Sequence, residues 1–445
     1  MQAAPGARWY NAVWRWHFYA GLLCMPFVLW LSITGTIYLW KPQIEALLDR
    51  PYDQLVGSGP RASAEAQVAA ALAAVPGTSF RKLQLSEGPR EATRVIVGAG
   101  GTNVRVYVDP YRQKVLGTIR EDARPLNVVQ QLHGTLLAGD LGSYVVEIAA
   151  CWTVTMLLTG LYLWWPRGRQ SLAGVLYPRL RAGGRAFWRD IHAVAGIWVT
   201  VFALFLITTG LPWAKFWGGY FKDVRQVTGM IDGPQDWTIG GGRIAADEHA
   251  GHMGMAMPHA AVPAPGSEID RVVAAVYPLG LAPPVMIAPP ARQGEAWTIT
   301  SEAADRPLRA KLSIDGASGA IRSRQDFAQR HWVDRVVGYG IAAHEGALFG
   351  IANQLLGTLT AFLLMTLSVS GAVMWWRRRP QGLLGAPIPL SRPRFGPVLV
   401  GAILLLALWM PLFGTTLAGM LLIERLILRR LPGARRWLGM KPVGA

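Results

Sequence analysis

Residues 17–165 and 192–376 carry one pattern twice, and this duplication constrains the fold more than any other feature of the chain. The apolar stretch opening at His17 reads "HFYAGLLCMPFVLWLSITG", and the one opening at His192 reads "HAVAGIWVTVFALFLITTG". Each is His, three residues, Gly, and each closes on Thr-Gly after the same interval. The stretches opening at His133 and His344 form a second pair. Without a gap, Gly350 falls on Gly139, Gly371 on Gly160, and Trp375-Trp376 on Trp164-Trp165. The repeated unit is therefore helix, long insert, helix. The four core stretches are expected to open on a histidine and to end near a small pair: Thr34-Gly35, Thr159-Gly160, Thr209-Gly210 and Ser370-Gly371.

Apolar runs near 18–40, 143–165, 193–213, 348–376 and 396–423 are long enough to span or nearly span a hydrocarbon core of about 30 Å at about 1.5 Å per residue. The first runs into "YLWKPQ" with no small-residue cleavage site, so it is read as a retained helix. The net charge of +17 suggests nucleic acid until it is located. Segments 1–16, 166–191, 377–395 and 424–445 hold 19 basic residues against two acids, Asp190 and Glu424, while the remainder holds 25 of each sign. The whole excess lies in short segments on one side of the spans. That is the positive-inside pattern. It predicts a multi-pass membrane protein with a cytoplasmic N-terminus, and no nucleic-acid partner. Pro411 and Gly414 interrupt the last apolar run, which reads as a short hairpin, with a re-entrant segment as the alternative.

Both inserts follow one order. In the first, "SAEAQVAAALAAV" is a helix with an N-cap serine, and "FRKLQLS", "TRVIVGA" and "NVRVYVD" alternate as strands before "KVLGTI". The second repeats this with "SEIDRVVAAVY", "PPVMIA", "EAWTITS" and "LRAKLSIDGASGAIRS". Asp109 and Asp315 each end a third strand and open a turn. With "VYVDPYRQKVLG" leading into "LHGTLLAGDLG", the chain resembles the PepSY-associated transmembrane family, which includes FoxB-type and PiuB-type iron-regulated inner-membrane proteins. The resemblance covers nearly the whole chain. It implies a haem-containing reductase of ferric siderophores with two α+β PepSY modules in the periplasm.

The expected architecture is a membrane α-helical protein: a four-helix core from two tandem helix–insert–helix repeats, a C-terminal hydrophobic hairpin, and two periplasmic PepSY modules. Residues 1–40 hold the N-terminus and first span, and 41–132 the first module. The second span is 133–165, followed by a basic loop at 166–191. The third span is 192–213, and 214–343 the second module. The fourth span is 344–376, followed by a basic loop at 377–395, with hairpin and tail at 396–445.

A lone interfacial histidine is as readily a hydrogen-bonded packing residue as a ligand. Four at repeating positions weigh differently. His17 and His192 belong to one face of the membrane, His133 and His344 to the other, and pseudo-symmetry can bring each pair together. Paired imidazoles can serve as both axial ligands of a haem iron. The expected cofactor is thus haem b, two per chain, with Gly35, Gly160, Gly210 and Gly371 as notches for the macrocycle. Ordinary small-residue packing is the plain alternative for the glycines. If His344 is not a ligand, His331 is the substitute, and Glu147 and Glu345 are possible proton or haem-edge partners.

The stretch 247–260 gathers His249, His252, Met253, Met255, Met257 and His259, a set suited to soft Cu(I). Its Gly/Ala-rich composition reads equally as a loop. The chain has two cysteines, Cys24 and Cys151, and no Cys-x-x-Cys-His, which excludes covalent c-type haem. It also lacks a dinucleotide fingerprint and a catalytic triad. Electrons must therefore come from a separate cytoplasmic or quinol donor, and the resemblance implies a ferric siderophore or other ferric chelate as the acceptor in the periplasm. The other readings are a non-enzymatic membrane module that binds peptide or protease, and a copper-handling protein.

Overall fold

The structure, a computed structural model, describes residues 5–57, 59–166, 171–230, 267–292, 294–390 and 396–440. The chain is a mostly helical membrane protein, and among the described residues five helical segments are long and apolar enough to cross a bilayer: Ala7–Leu39, Gly139–Trp164, Gly184–Trp213, Gly350–Arg378 and Pro411–Arg430. In chain order the helices are α1 (Pro5–Leu39), α2 (Lys41–Asp49), α3 (Ala64–Ala74), α4 (Pro125–Thr135), α5 (Gly139–Trp164), α6 (Gly184–Gly210) and α7 (Lys215–Val227). There follow α8 (Glu268–Val276), α9 (Trp332–His344), α10 (Gly350–Arg378), α11 (Pro397–Trp409), α12 (Pro411–Leu426) and α13 (Pro432–Trp437). Helices α1, α5, α6 and α10 form a ring in which each packs on two neighbours, α1 on α5 and α10, and α6 on the same two.

The helices start earlier, or later, than hydrophobicity suggests. His17 and His192 do not open their helices; they lie well inside α1 and α6. Hydrophobicity marks only the stretch meant for lipid, and "RWYNAVWRW" and "RAFWRD" continue the helix into polar surroundings. His133 and His344 err the other way. They sit on the short helices α4 and α9, and the crossing helices begin only at Gly139 and Gly350. Both glycines have φ near +55°, at +55° and +56°. This left-handed backbone costs a residue with a Cβ far more than glycine. The break folds α4 back on α5 so closely that a Cβ on Gly142 would meet the Thr135 carbonyl. It also explains why His133 and Gly160 are 27 residues apart while His17 and Gly35 are only 18 apart.

The two inserts form a single eight-stranded antiparallel sheet rather than separate sheets. Strands β1 (Ser79–Gln84), β2 (Thr93–Ala99), β3 (Thr102–Val108) and β4 (Val115–Arg120) form one meander. Strands β5 (Val285–Ala288), β6 (Trp297–Ser301), β7 (Ala310–Ile314) and β8 (Ile321–Asp326) form the other. The order is β4-β3-β2-β1-β5-β6-β7-β8, joined where Leu83 pairs with Ile287 and Gln84 with Met286. Joining two edges satisfies backbone groups that would otherwise invite foreign strands. One core runs under the seam, with Val95, Val97 and Val106 from one half, Ile287, Ile299 and Leu312 from the other, and Ala71 and Val272 from α3 and α8. Asp270 of α8 accepts the Ala64 N–H of α3 at 2.6 Å across the halves. Asp109 and Asp315 each accept N–H bonds from residues two and three ahead, which closes the turns to the last strands.

The last apolar run is a hairpin. Asn11 bonds the backbone of Ile388 and Leu390 before it, and Arg15 and Tyr19 bond the carbonyls of Gly439 and Leu438 after it. Both ends thus return to the N-terminal half of α1. The outgoing arm α11 has 13 residues, about 20 Å at 1.5 Å per residue. It stops where the Trp217 indole of α7 bonds the Trp409 carbonyl.

One buried ion pair fastens α7 to α9. Arg225 makes two bonds to Asp334, at 2.8 and 3.0 Å, with both side chains almost fully buried. Removing one partner strands a buried charge, which costs about 3–5 kcal/mol, whereas replacing both with apolar residues is close to neutral. Asp334→Ala is therefore expected to lower the thermal unfolding temperature by several degrees, and Arg225→Met/Asp334→Leu to recover most of it. Equal loss in the single and double variants would show that the ion pair itself, not the stranded charge, matters.

Candidate functional site

Each of the four core histidines is seated in the same way, on a helix other than its own. His17 of α1 lies on α5, His192 of α6 on α10, His133 of α4 on α1, and His344 of α9 on α6. The seat is the small pair. The Nδ1 of His17 is 3.2 Å from Thr159 Oγ1, that of His192 3.1 Å from Ser370 Oγ, and those of His133 and His344 3.0 Å from Thr34 and Thr209 Oγ1. Every one of these hydroxyls already donates its proton to the carbonyl four residues earlier, at 2.6 to 2.9 Å. Each can then only accept from the ring. At the inner pair the carbonyl three residues before the hydroxyl bonds the same ring, Met156 at 3.0 Å from His17 and Leu367 at 3.2 Å from His192.

Neither a carbonyl nor a hydroxyl whose proton is already given to another carbonyl can donate, so Nδ1 must carry the proton in all four rings. The lone pair is therefore on Nε2. A metal-binding imidazole is commonly held this way, its far nitrogen tied to an acceptor and its near nitrogen free to bind.

The glycines supply the clearance. A Cβ on Gly160 would stand 3.0 Å from His17 Cε1, on Gly35 3.1 Å from His133 Cε1, on Gly210 3.2 Å from His344 Cε1, and on Gly371 3.5 Å from His192 Cε1. The space expected for a macrocycle is taken by the imidazoles themselves. The glycines lie against the ring edge that carries Nδ1 and Cε1, and all four rings remain only half-buried although they sit between helices.

His17 and His192 face each other with ring centroids 6.3 Å apart and planes at 83°. Two nitrogens bound to one metal at about 2 Å each, with about 1.2 Å from nitrogen to ring centre, place the centroids roughly 6.4 Å apart. The pair thus fits the axial ligation of one haem iron. His133 and His344 lie within electrostatic reach of each other at the sheet end of the bundle, and the Trp213 ring meets His344 edge-on at 5.9 Å. Along α1, His17 and the Gly35 seat are 18 residues apart, about 27 Å at 1.5 Å per residue. The two pairs therefore occupy opposite ends of the bundle.

Other expected site residues fall elsewhere. His331 caps α9 and accepts the Val333 N–H at 3.2 Å on Nδ1. It and His344 mark the two ends of one helix, about 20 Å apart at 1.5 Å per residue, so it is no substitute ligand. Glu147 accepts the N–H groups of Phe216 and Trp217 at 3.1 Å and caps α7, a structural task. His249, His252, Met253, Met255, Met257 and His259 lie outside the described residues. Sequence reasoning passed over two aromatic residues, Tyr38 and Trp213. Each comes three positions after an outer glycine, Gly35 or Gly210, so the repeat could have revealed them.

The family model of the PepSY-associated TM region matches residues 14–378, most of the chain and all four seated histidines. No curated protein matches the chain.

Proposed function

The chain belongs to the PepSY-associated TM family, and from that premise we propose that it passes electrons across a bacterial inner membrane to a ferric chelate, most simply a ferric siderophore, in the periplasm. The observation that carries this reading is the fourfold seat. Four imidazoles, each with Nδ1 committed and Nε2 left over, stand as two pairs at two ends of one bundle. In this reading the basic end is cytoplasmic, the N-terminus lies there, and the sheet, built from two PepSY modules of the tandem repeats, is periplasmic. His17 with His192, and His133 with His344, would each hold a haem through Nε2, and haem so held would supply reversible one-electron chemistry.

The protein's residues do the rest. Thr159 and Ser370 orient the inner imidazoles, and Thr34 and Thr209 the outer ones. The apolar residues between, among them Leu157, Val199, Ala203 and Leu367, keep water from the middle of the bundle. A quinol or cytoplasmic donor gives up electrons at the His17/His192 end. Each Fe(III) at the His133/His344 end takes one electron and becomes Fe(II), a poorer match for hard oxygen ligands, and the chelate releases it.

Purified protein is expected to show a low-spin b-type spectrum and two haems per chain. In vesicles loaded with donor, external ferric chelate should be reduced. A preparation from haem-replete cells with neither haem nor transmembrane reduction would overturn the proposal and favour a module that binds peptide or protease.

A further inference from the structure

Two faces of the bundle are equivalent by the repeat, α1 with α5 and α6 with α10, and the C-terminal hairpin covers only the first. Trp152 of α5 corresponds to Leu363 of α10, Cys151 to Phe362, and Thr155 to Thr366. On the first face the Trp152 ring lies 5.3 Å from that of Phe413 of α12, and its indole donates to Thr416 at 3.0 Å. Cys151 and Met410 belong to the same buried cluster. On the second face nothing among the described residues takes the hairpin's place. Leu363, Phe362 and Thr366 instead line an open groove between α6 and α10, with Trp198 and Phe202 opposite. Trp198 and Phe362 are 58% and 60% exposed. The groove holds about 390 Å³, within the usual range for small-molecule sites, about 300–1,000 Å³.

The groove reaches the inner histidine pair. Ile191 in its wall directly precedes His192, and Thr366 directly precedes Leu367, whose carbonyl holds the His192 ring at 3.2 Å. From Ile191 to Phe202 the groove follows α6 for 11 residues, about 16 Å at 1.5 Å per residue. Its lining is almost wholly apolar, so its occupant comes from the bilayer and not from water. The Trp198 indole is already bonded to the Leu176 carbonyl at 2.9 Å. The other polar groups are Thr360 and Thr366. Their hydroxyls donate to the Leu356 and Phe362 carbonyls at 2.8 and 2.9 Å, so toward an occupant they can only accept. A lipid acyl chain has no proton to offer them, nor has a quinone, but a quinol O–H does. We propose that this groove is where electrons enter, and that a membrane quinol docks in it with a hydroxyl toward Thr366. The proposal rests on the haem reading given above and names the donor that it left open. Each quinol passes two electrons, one at a time, to the iron held at His192, and releases two protons to water on the cytoplasmic side. It then leaves as quinone, for which the two hydroxyls have no bond.

The test follows haem reduction when the full-length, haem-loaded protein is mixed rapidly with decylubiquinol. Leu363→Trp places in the open groove the side chain that its counterpart Trp152 already carries. It should slow reduction by decylubiquinol roughly tenfold or more, and leave haem content and reduction by dithionite unchanged. Thr366→Val keeps the shape and removes one acceptor, and should raise the half-saturating quinol concentration about fivefold. Val201→Trp, at a position exposed on α6 outside the groove, should change neither. Undiminished reduction by decylubiquinol in Leu363→Trp and Thr366→Val, with haem retained, would overturn the groove as the entry site. Equal slowing in Val201→Trp would also overturn it, since the cause would then be lipid packing in general. A reference chain whose haem is reduced by dithionite and not by decylubiquinol would overturn the quinol, favour a cytoplasmic donor and leave the haem reading intact. Absence of haem from the reference chain purified from haem-replete cells would overturn the haem reading itself.

Discussion

His192→Ala is expected to lower the haem content from two per chain to one, and His17→Ala to remove the same haem. His133→Ala and His344→Ala should each remove the other. The inner rings stand 6.3 Å apart, so under the proposed function either would complete the coordination of only the iron that its partner also holds. A lost axial imidazole leaves that iron with one protein ligand, and the low-spin signal of that site disappears. The effect should be confined to one end because about 27 Å of helix, at 1.5 Å per residue, separates the levels. Redox titration of the four single variants reads this directly, since the surviving haem keeps its own midpoint potential. Its survival also reports that the bundle has folded. Two haems of unchanged potential in any of the four variants would remove that histidine from the ligand set. His331 is then no replacement for His344, because its Nδ1 caps α9 at the far end of that helix.

The hydroxyls make a finer distinction. Thr159→Ala or Ser370→Ala leaves the imidazole in place and removes one of its two acceptors. The carbonyl of Met156 or Leu367 still selects the Nδ1–H form. A smaller change, in potential rather than in content, is the expected outcome. A ligand histidine and the hydroxyl that orients it can thus be told apart.

Much of this arrangement was legible because it repeats. The pairing of Gly139 with Gly350 was visible in the repeat, but spacing did not say that the backbone turns left-handed there and breaks the helix after each histidine. The Thr-Gly and Ser-Gly pairs were visible, but their sizes suggested a notch for a large ring. That the hydroxyl accepts from a histidine on another helix depends on packing, which spacing cannot convey. The strand order within each insert followed from alternation, while the joining of β1 to β5 did not. Edge pairing between distant segments leaves no local pattern, since both strands look like ordinary edges.

Gly160→Leu is expected to abolish the inner haem and, with it, reduction across the membrane. The added side chain would begin at a Cβ only 3.0 Å from His17 Cε1 and extend into the imidazole. Overpacking of this kind typically costs about 1–3 kcal/mol, which is roughly a five- to 140-fold loss of haem affinity at about 1.4 kcal/mol per tenfold. The alanine series tests whether the clearance is the cause. Gly160→Ala forces the ring to move by a few tenths of an ångström, whereas a methyl on Gly371 would lie at an ordinary contact distance, 3.5 Å from His192 Cε1. Gly160→Ala should therefore shift the inner potential or weaken haem binding, and Gly371→Ala should change neither by more than the error of measurement. In all these variants the outer haem should still accept electrons from a soluble reductant on the sheet side. In vesicles, Gly160→Leu should no longer reduce external chelate from an internal donor. If transmembrane reduction persists undiminished after loss of the inner haem has been verified, the path does not run through His17 and His192. If the two alanine variants behave alike, the glycines serve helix packing and not the seating of the imidazoles.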